Sequence, residues 1–573
     1  MKSKLLFALL VLGFTMTAFA QNAPDTIFVN GDVYPGARFV AGSNGALVVQ
    51  RVGERAQAIA VAGGKIVAVG TNDDIRKLKG AKTQVVDLAG HFVMPGFNDA
   101  HTHLASGGEE KMHVELMGTK SLEEMKQRLA AGVKNLAPGE WLIGRGWDET
   151  KWTEQKLPSR QDLDAVTGDH PAWCSRADGH AGVANTAAVK AAGVTRDTPD
   201  PKGGKIDHDA KGEPTGYFRD TAEGLVARKI PPPTPAQRKR AMELALADAA
   251  EHGVTSAQDN SDWQDFLVME ELENAGKLPI RVSEWLPFDA PVSTLDQHRA
   301  KHSATDPSLH TGMLKGFMDG SLGSHTAALL APYADEPGNS GLPRYDQAKL
   351  TSMAVERALA GFQMGFHAIG DKGAQMALDA YREAERTVRE KQPDQKRDFR
   401  FRVEHAQVIT PDQFAQFREL GVIASMQPNH LLTDMFWAVK RIGEERGKTS
   451  YPWKQFLTSG VHLAYGTDYP VEPITPFRGV YASVTRMDEA GKAAAFHPEQ
   501  KLTIDETIAA YTTASAYAQF AEREKGTLEK GMLADFIELD RDITKVPPPE
   551  ILKTVVLRTV VNGKTVYEAG KSK

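Results

Sequence analysis

Cysteine is all but absent from this 573-residue chain: Cys174 stands alone, so no intrachain disulfide can form and stability has to come from a large packed core. Cys174 sits in the apolar run Pro171-Ala-Trp-Cys-Ser-Arg176, which predicts a buried structural thiol and not a nucleophile. Basic charge is also scarce, since 68 Lys and Arg face 74 Asp and Glu for a net charge of −6. That balance excludes the basic footprint of a nucleic-acid binder and leaves a small molecule as the expected partner. Internal repeats and low-complexity tracts are missing, and no segment after the first residues is apolar for long enough to span a membrane. Oligomeric state is not legible.

The first residues are the exception. Residues 1–20 combine a short basic start, an apolar stretch and the small-residue ending Ala18-Phe-Ala20. They predict a cleavable secretory signal peptide, cut after Ala20, and hence a periplasmic or secreted location. Gln21 follows the expected cut, so a lipid anchor on cysteine is not expected there.

What the chain does have is histidine in a telling place. Phe92-Val-Met-Pro-Gly-Phe-Asn-Asp-Ala-His-Thr-His103 is an apolar run ending in two histidines one residue apart. In an extended strand such residues point to the same side, so His101 and His103 can aim two imidazoles at one divalent ion. Four more apolar runs, 313–320, 362–370, 401–405 and 461–468, each end in or contain a residue able to bind or bridge a metal. Amphipathic stretches near 234–252, 347–360, 374–391 and 411–420 predict helices between them. Alternating strands and helices predict a parallel α/β sheet, and eight candidate strands are present, near 93–101, 253–258, 281–286, 313–319, 363–367, 401–405, 422–427 and 462–467. Eight parallel strands close a TIM-like (β/α)8 barrel, whose chemistry gathers at the C-terminal strand ends where His101, His103, His367, His405 and Asp468 all fall.

Domain boundaries follow. After the 1–20 leader, residues 21–90 read as short strands joined by Asn-Gly and Gly-Gly turns, and 525–573 repeat that texture, so both chain ends are expected to form one small β-sandwich. The barrel spans 91–475 with an insertion of about 105–233, closed by Pro231-Pro-Pro233, and 476–524 supply its last helices. An insertion at the active-site end is expected to cover substrate.

The order His-x-His, Lys, His, His, Asp along the strands resembles the amidohydrolase superfamily of metal-dependent hydrolases. Within it, Trp141-Leu-Ile-Gly-Arg-Gly-Trp-Asp148, Ser175-Arg-Ala-Asp-Gly-His180, Met318-Asp-Gly-Ser-Leu-Gly-Ser324, His367-Ala-Ile-Gly-Asp371, Arg402-Val-Glu-His405, Met426-Gln-Pro-Asn-His430 and Gly466-Thr-Asp-Tyr-Pro470 are similar to the YtcJ-like branch (amidohydrolase family 3), which includes N-substituted formamide deformylase. The resemblance runs from about Thr26 to the C-terminus. It implies His101, His103, Lys315, His367, His405 and Asp468 as metal ligands, with Asp468 also catalytic. His101, His103 and Asp468 would hold one ion, His367 and His405 a second, and zinc is the expected metal at one or two ions per chain, although manganese and iron accept overlapping ligands.

Lys315 shares a strand face with Met313, Phe317 and Asp319, so it points into the barrel, where an unpaired ammonium is costly. The resemblance implies its carboxylation to a metal-bridging carbamate; the alternative is a salt bridge to Asp319 or Glu404. Water acidified at the metal would attack a polarised carbonyl, with Asp468 taking its proton and passing it to the departing amine. The expected enzyme is therefore a hydrolase of a non-peptide carbon–nitrogen bond, such as an N-acyl or N-formyl amide. A deaminase or cyclic-amide hydrolase, or a catalytically silent binding or regulatory protein, are the alternatives on the same scaffold. His180, Gln427 and His430 are candidates to touch substrate. Tyr469 and Glu472 follow the aspartate, His252 reads as structural, and His113, His298, His302, His310 and His497 read as surface residues.

Overall fold

The computed structural model describes residues 23–177, 180–302 and 306–571, so the expected signal peptide lies outside the described residues. Eight parallel strands form one sheet in chain order: β1 (Phe97–Thr102), β2 (Val254–Asp259), β3 (Arg281–Pro287), β4 (Leu309–Phe317), β5 (Met364–Ala368), β6 (Arg402–His405), β7 (Ile423–Met426) and β8 (Leu463–Tyr465). A parallel bridge from Thr102 to Tyr469 brings the end of β8 back to β1, so the barrel is nearly closed. These strands are buried along almost their whole length, as parallel strands covered by helices must be, which is why they read as apolar runs.

The helices begin where local chemistry dictates. Thr234 and Gln237 form a reciprocal capping box with Pro235 in the first turn of Pro235–Glu251, and Thr410 and Gln413 do the same for Pro411–Glu419. Helix Asp371–Lys391 lays Tyr381 between β5 and β6, its ring centre 5.0 Å from Phe366 and 4.7 Å from Phe401.

The first expected strand, 93–101, proves to be two. Phe92–Pro95 leaves the barrel and pairs antiparallel with Phe536–Leu539, whereas β1 starts at Phe97. The division falls at Gly96, where a Cβ would stand 2.1 Å from Thr255 Cγ2, so only glycine lets the chain pass β2 this closely. Both chain ends do combine. One sheet contains Thr26–Val29, Ala58–Ala62, Lys65–Gly70 and Gln84–Asp87; the other joins Asp32–Val33 and Phe92–Pro95 to Phe536–Leu539, Val556–Val561 and Lys564–Glu568. Phe28 of the first meets Phe536 of the second edge to face at 4.9 Å, closing the apolar layer between them.

The insertion builds its own six-stranded sheet between Val114 and Asp220, with its own apolar clusters. Cys174 is fully buried in it, and burial pushes its thiol up to about 12, which makes it inert. No helix among the described residues is long and apolar enough to cross a membrane.

Candidate metal centre

The residues at the C-terminal ends of β1, β6 and β8 converge. His101 is wholly buried on β1, and its Nδ1 lies 2.7 Å from Glu404 Oε2. Glu404 is held in turn by Arg402, two residues back on the same face of β6, through Nε to Oε1 at 2.7 Å. Burial alone would raise the Glu404 carboxyl, but Arg402 and the His101 contact outweigh it and hold the group at about 2. An ionised Glu404 accepting from Nδ1 fixes the tautomer of His101, leaving Nε2 with its lone pair facing the cavity. Burial, reinforced by Lys315, takes His101 down to about 4, so the ring is neutral and able to ligate. His103, just beyond the strand, is oriented the same way: Nδ1 sits 3.2 Å from the Asn260 carbonyl and Nε2 faces the site.

Asp468 is the hub. One carboxylate oxygen lies 3.1 Å from His103 Nε2 and 3.5 Å from His101 Nε2, and the other lies 3.1 Å from His430 Nε2 and 3.9 Å from His405 Nδ1. Burial would raise this carboxyl, yet His101, His103 and His430 together keep it well below the usual carboxylate range. Asp468 and His405 both have left-handed backbones, at φ 61° and 74°, which β-carbon-bearing residues seldom adopt. The bond from Asp468 N–H to the His101 carbonyl, 2.8 Å, holds the first of these in place.

Lys315 enters from β4, buried, with Nζ 3.0 Å from His101 Nε2 and over the rings of Trp285 and Phe317 at 5.1 and 5.2 Å. No salt bridge joins it to Asp319 or Glu404. Desolvation brings its amine down to about 8. Asp319 instead accepts backbone N–H groups from Ala328, Ile369 and Gly370 at 2.8–3.0 Å, a structural use that the alternation of β4 does not reveal.

Two groups of side chains have ligand atoms within 4.8 Å of one another at this end of the barrel: His101, His103 and Asp468, and His405, His430 and Asp468. His367 lies ring to ring with His405 at 4.4 Å, but its Nε2 turns to the Gly320 carbonyl at 3.0 Å, and His430 is the histidine that completes the second group. The donors fit a divalent ion. His405 Nδ1 is buried with no hydrogen-bond partner, an expensive arrangement for a nitrogen that faces a carboxylate and two more imidazoles unless a cation joins them.

The remaining expected residues divide. Gln427 Nε2 lies 3.4 Å from His101 Nδ1, in the wall of the site. His180 is in the insertion, its side chain 75% exposed and its Nδ1 3.0 Å from Asp220 Oδ1. His252 does close a helix, with Nδ1 on the Asp248 carbonyl at 2.9 Å. The five histidines read as surface residues are all half-buried; His298 stacks on Trp263 at 3.6 Å, aromatic packing that the sequence does not show.

The profile of the amidohydrolase family (Amidohydro_3) matches residues 84–567. The chain belongs to this family, a hydrolase of the metal-dependent amidohydrolase superfamily with the YtcJ-like pattern. It is 34% identical over 524 residues to the Arabidopsis thaliana protein LONG AFTER FAR-RED 3, covering 89% of this chain and 88% of that one. It is 31% identical to the putative amidohydrolase YtcJ of Bacillus subtilis (90% and 97% covered) and 28% identical to the N-substituted formamide deformylase of Arthrobacter pascens (90% and 95%). A crystal structure of an uncharacterized metal-dependent hydrolase from Pyrococcus furiosus superposes with a TM-score of 0.73 at 29% identity, over 91% of this chain and all of that one.

Proposed function

We propose that this protein is an exported hydrolase of a non-peptide carbon–nitrogen bond, acting on an N-acyl or N-formyl amide of a small molecule. The observation that carries the reading is Asp468, an ionised carboxylate set between two groups of imidazoles, one of which has a buried nitrogen, His405 Nδ1, without a hydrogen-bond partner. The name of the Arthrobacter relative, a formamide deformylase, supports the choice of bond. His101, His103 and Asp468 would hold one divalent ion and His405 with His430 or His367 a second. A bound ion supplies Lewis acidity, lowering the pKa of water and polarising a carbonyl.

The chain's own residues do the rest. Glu404 and the Asn260 carbonyl fix the tautomers of His101 and His103, so their Nε2 atoms stay aimed inward without rearrangement. Asp468 takes a proton from the attacking water and returns it to the leaving nitrogen, a transfer its position between both groups permits. Lys315, beside His101 and partly neutral near pH 8, is the amine suited to carboxylation.

The test is elemental mass spectrometry of the purified mature protein, joined to an assay of N-formyl and N-acyl amides. Close to two ions per chain, with amide hydrolysis abolished by a chelator and restored by zinc, manganese or iron, is the expected result. One ion with release of ammonia would replace the reading by a deaminase. N-terminal sequencing after cell fractionation checks export: a mature chain starting at Gln21 outside the cytoplasm is expected.

A further inference from the structure

Away from the metal centre, buried donors without a partner gather behind β8. Tyr465 ends that strand, Trp453 opens the helix before it (Trp453–Thr458), Ser483 lies near the end of the helix after it (Pro476–Thr485), and Arg486 follows that helix. All four residues are fully buried. The Tyr465 and Ser483 hydroxyls, the Trp453 indole N–H and Arg486 Nη2 make no hydrogen bond among the described residues. They are neighbours: the Arg486 guanidinium carbon lies 4.3 Å from the Trp453 ring centre, the Trp453 and Tyr465 rings meet edge to face at 6.1 Å, and the Ser483 hydroxyl stands against that of Tyr465.

Arg486 is the member that sets the chemistry. Its backbone is left-handed, at φ 54°, a conformation held by its N–H donating to the Ala482 carbonyl at 2.8 Å. The side chain is thereby turned inward, where Nη1 donates to the Tyr451 carbonyl at 2.9 Å and Nε to the Phe496 carbonyl. Both acceptors are neutral, and no carboxylate pairs with this guanidinium among the described residues. Glu499, whose charge reaches it, is exposed and lies 3.4 Å from His497 Nδ1; Glu506, whose charge reaches Tyr465, is taken by Lys454 at 2.5 Å. Desolvation accordingly brings Arg486 down to about 9, and burial pushes the Tyr465 phenol well up, so its O–H stays available to donate.

A buried guanidinium without a counter-charge is a costly arrangement, and buried donors without acceptors add to the cost. Water would serve the hydroxyls and leave the charge uncompensated. An anion meets both demands at once, and a set of donors closed off from solvent suits a small one.

We propose that Arg486, Tyr465 and Ser483, with Trp453 beside them, form a binding site for a small monovalent anion of the halide class, chloride being its common member. The site is independent of the hydrolytic reading. It ties β8, three residues ahead of Asp468, to the helices on either side, so the anion acts on stability as any ligand of the folded state does.

The experiment has two parts, both on the metal-loaded mature protein: anomalous diffraction from crystals soaked in sodium bromide, and thermal melting in sodium chloride against sodium gluconate at equal ionic strength. A bromide peak within hydrogen-bonding distance of Arg486 Nη2 and the Tyr465 hydroxyl is expected. Chloride at a hundredfold excess over its Kd should raise Tm by about 2 °C relative to gluconate, given the entropy of unfolding a chain of this length. Arg486→Met should abolish both signals. Where that variant fails to fold, the double variant Tyr465→Phe with Ser483→Ala keeps the cation, removes two donors and should bind chloride about 10-fold more weakly. No bromide peak at the cluster, equal melting in chloride and gluconate, or a peak and a melting shift undiminished in the double variant would each overturn the proposal.

Discussion

The two ends of the barrel bury charge in opposite ways. At the N-terminal end Arg281 meets Asp535 of the terminal sheet through two bonds, Nε to Oδ2 at 2.6 Å and Nη2 to Oδ1 at 2.9 Å, and the remaining demand is met by the Pro307 carbonyl and the Asn562 N–H. At the C-terminal end a carboxylate is crowded by four imidazoles and a lysine, and one buried nitrogen has nothing to bond. A saturated network is complete as it stands and holds the barrel to the sandwich. An unsaturated one stores its bonding capacity for something that arrives later, and this separates a structural charge cluster from a functional one.

The comparison can be broken by mutation at either end. Asp468→Asn should cut kcat by about 10²–10⁴-fold, the usual worth of a general acid–base group, with thermal melting little changed; near-normal turnover would remove Asp468 from the chemistry. Asp535→Ala should do the reverse, costing about 3–5 kcal/mol in a denaturant titration because it strands a buried guanidinium, while kcat of the folded fraction holds. His430→Ala tests whether this histidine belongs with the ligands, and is expected to lower metal content and activity about 10- to 100-fold.

A subtler difference concerns the two buried lysines. Lys525, at the N-terminal end, bonds only Ser256 Oγ at 2.6 Å, and desolvation brings it down to about 7. The folded form then carries fewer protons than the unfolded chain between pH 7 and the ordinary lysine value of about 10.4, so stability rises with pH across that window. Subtracting the stability curve of Lys525→Met from that of wild type should isolate this rise, and a flat difference would show that the lysine is not desolvated. The smallest effect is expected at His180, whose exposed pair with Asp220 should change kcat/KM by less than about fivefold on His180→Ala.

Much of this was legible in the sequence because parallel strands covered on both faces are plain apolar runs, and because a two-residue strand period forces His101 toward the barrel axis. All eight strands lie within a few residues of their expected positions, and the helices expected near 234–252 and 411–420 are Pro235–Glu251 and Pro411–Glu419. Contacts between chain-distant groups were not legible. Glu404 could have paired with Lys315 as readily as with His101, and only the meeting of β6 and β1 side chains across the barrel interior, with Arg402, decides it. His430 stands beyond a strand in a short helix, so its approach to Asp468 depends on a path that no periodicity encodes.

The four-residue strand Phe92–Pro95 leads directly into the first barrel strand but takes its partner, Phe536–Leu539, from the far end of the chain. A chain still being synthesised therefore holds an apolar edge open until the final residues emerge, and the lead-in to the ligand-bearing strand is the last piece to be locked. Truncation by a few dozen residues at the C-terminus would remove no ligand, yet it would leave that edge free to recruit another molecule, so aggregation would be its first symptom.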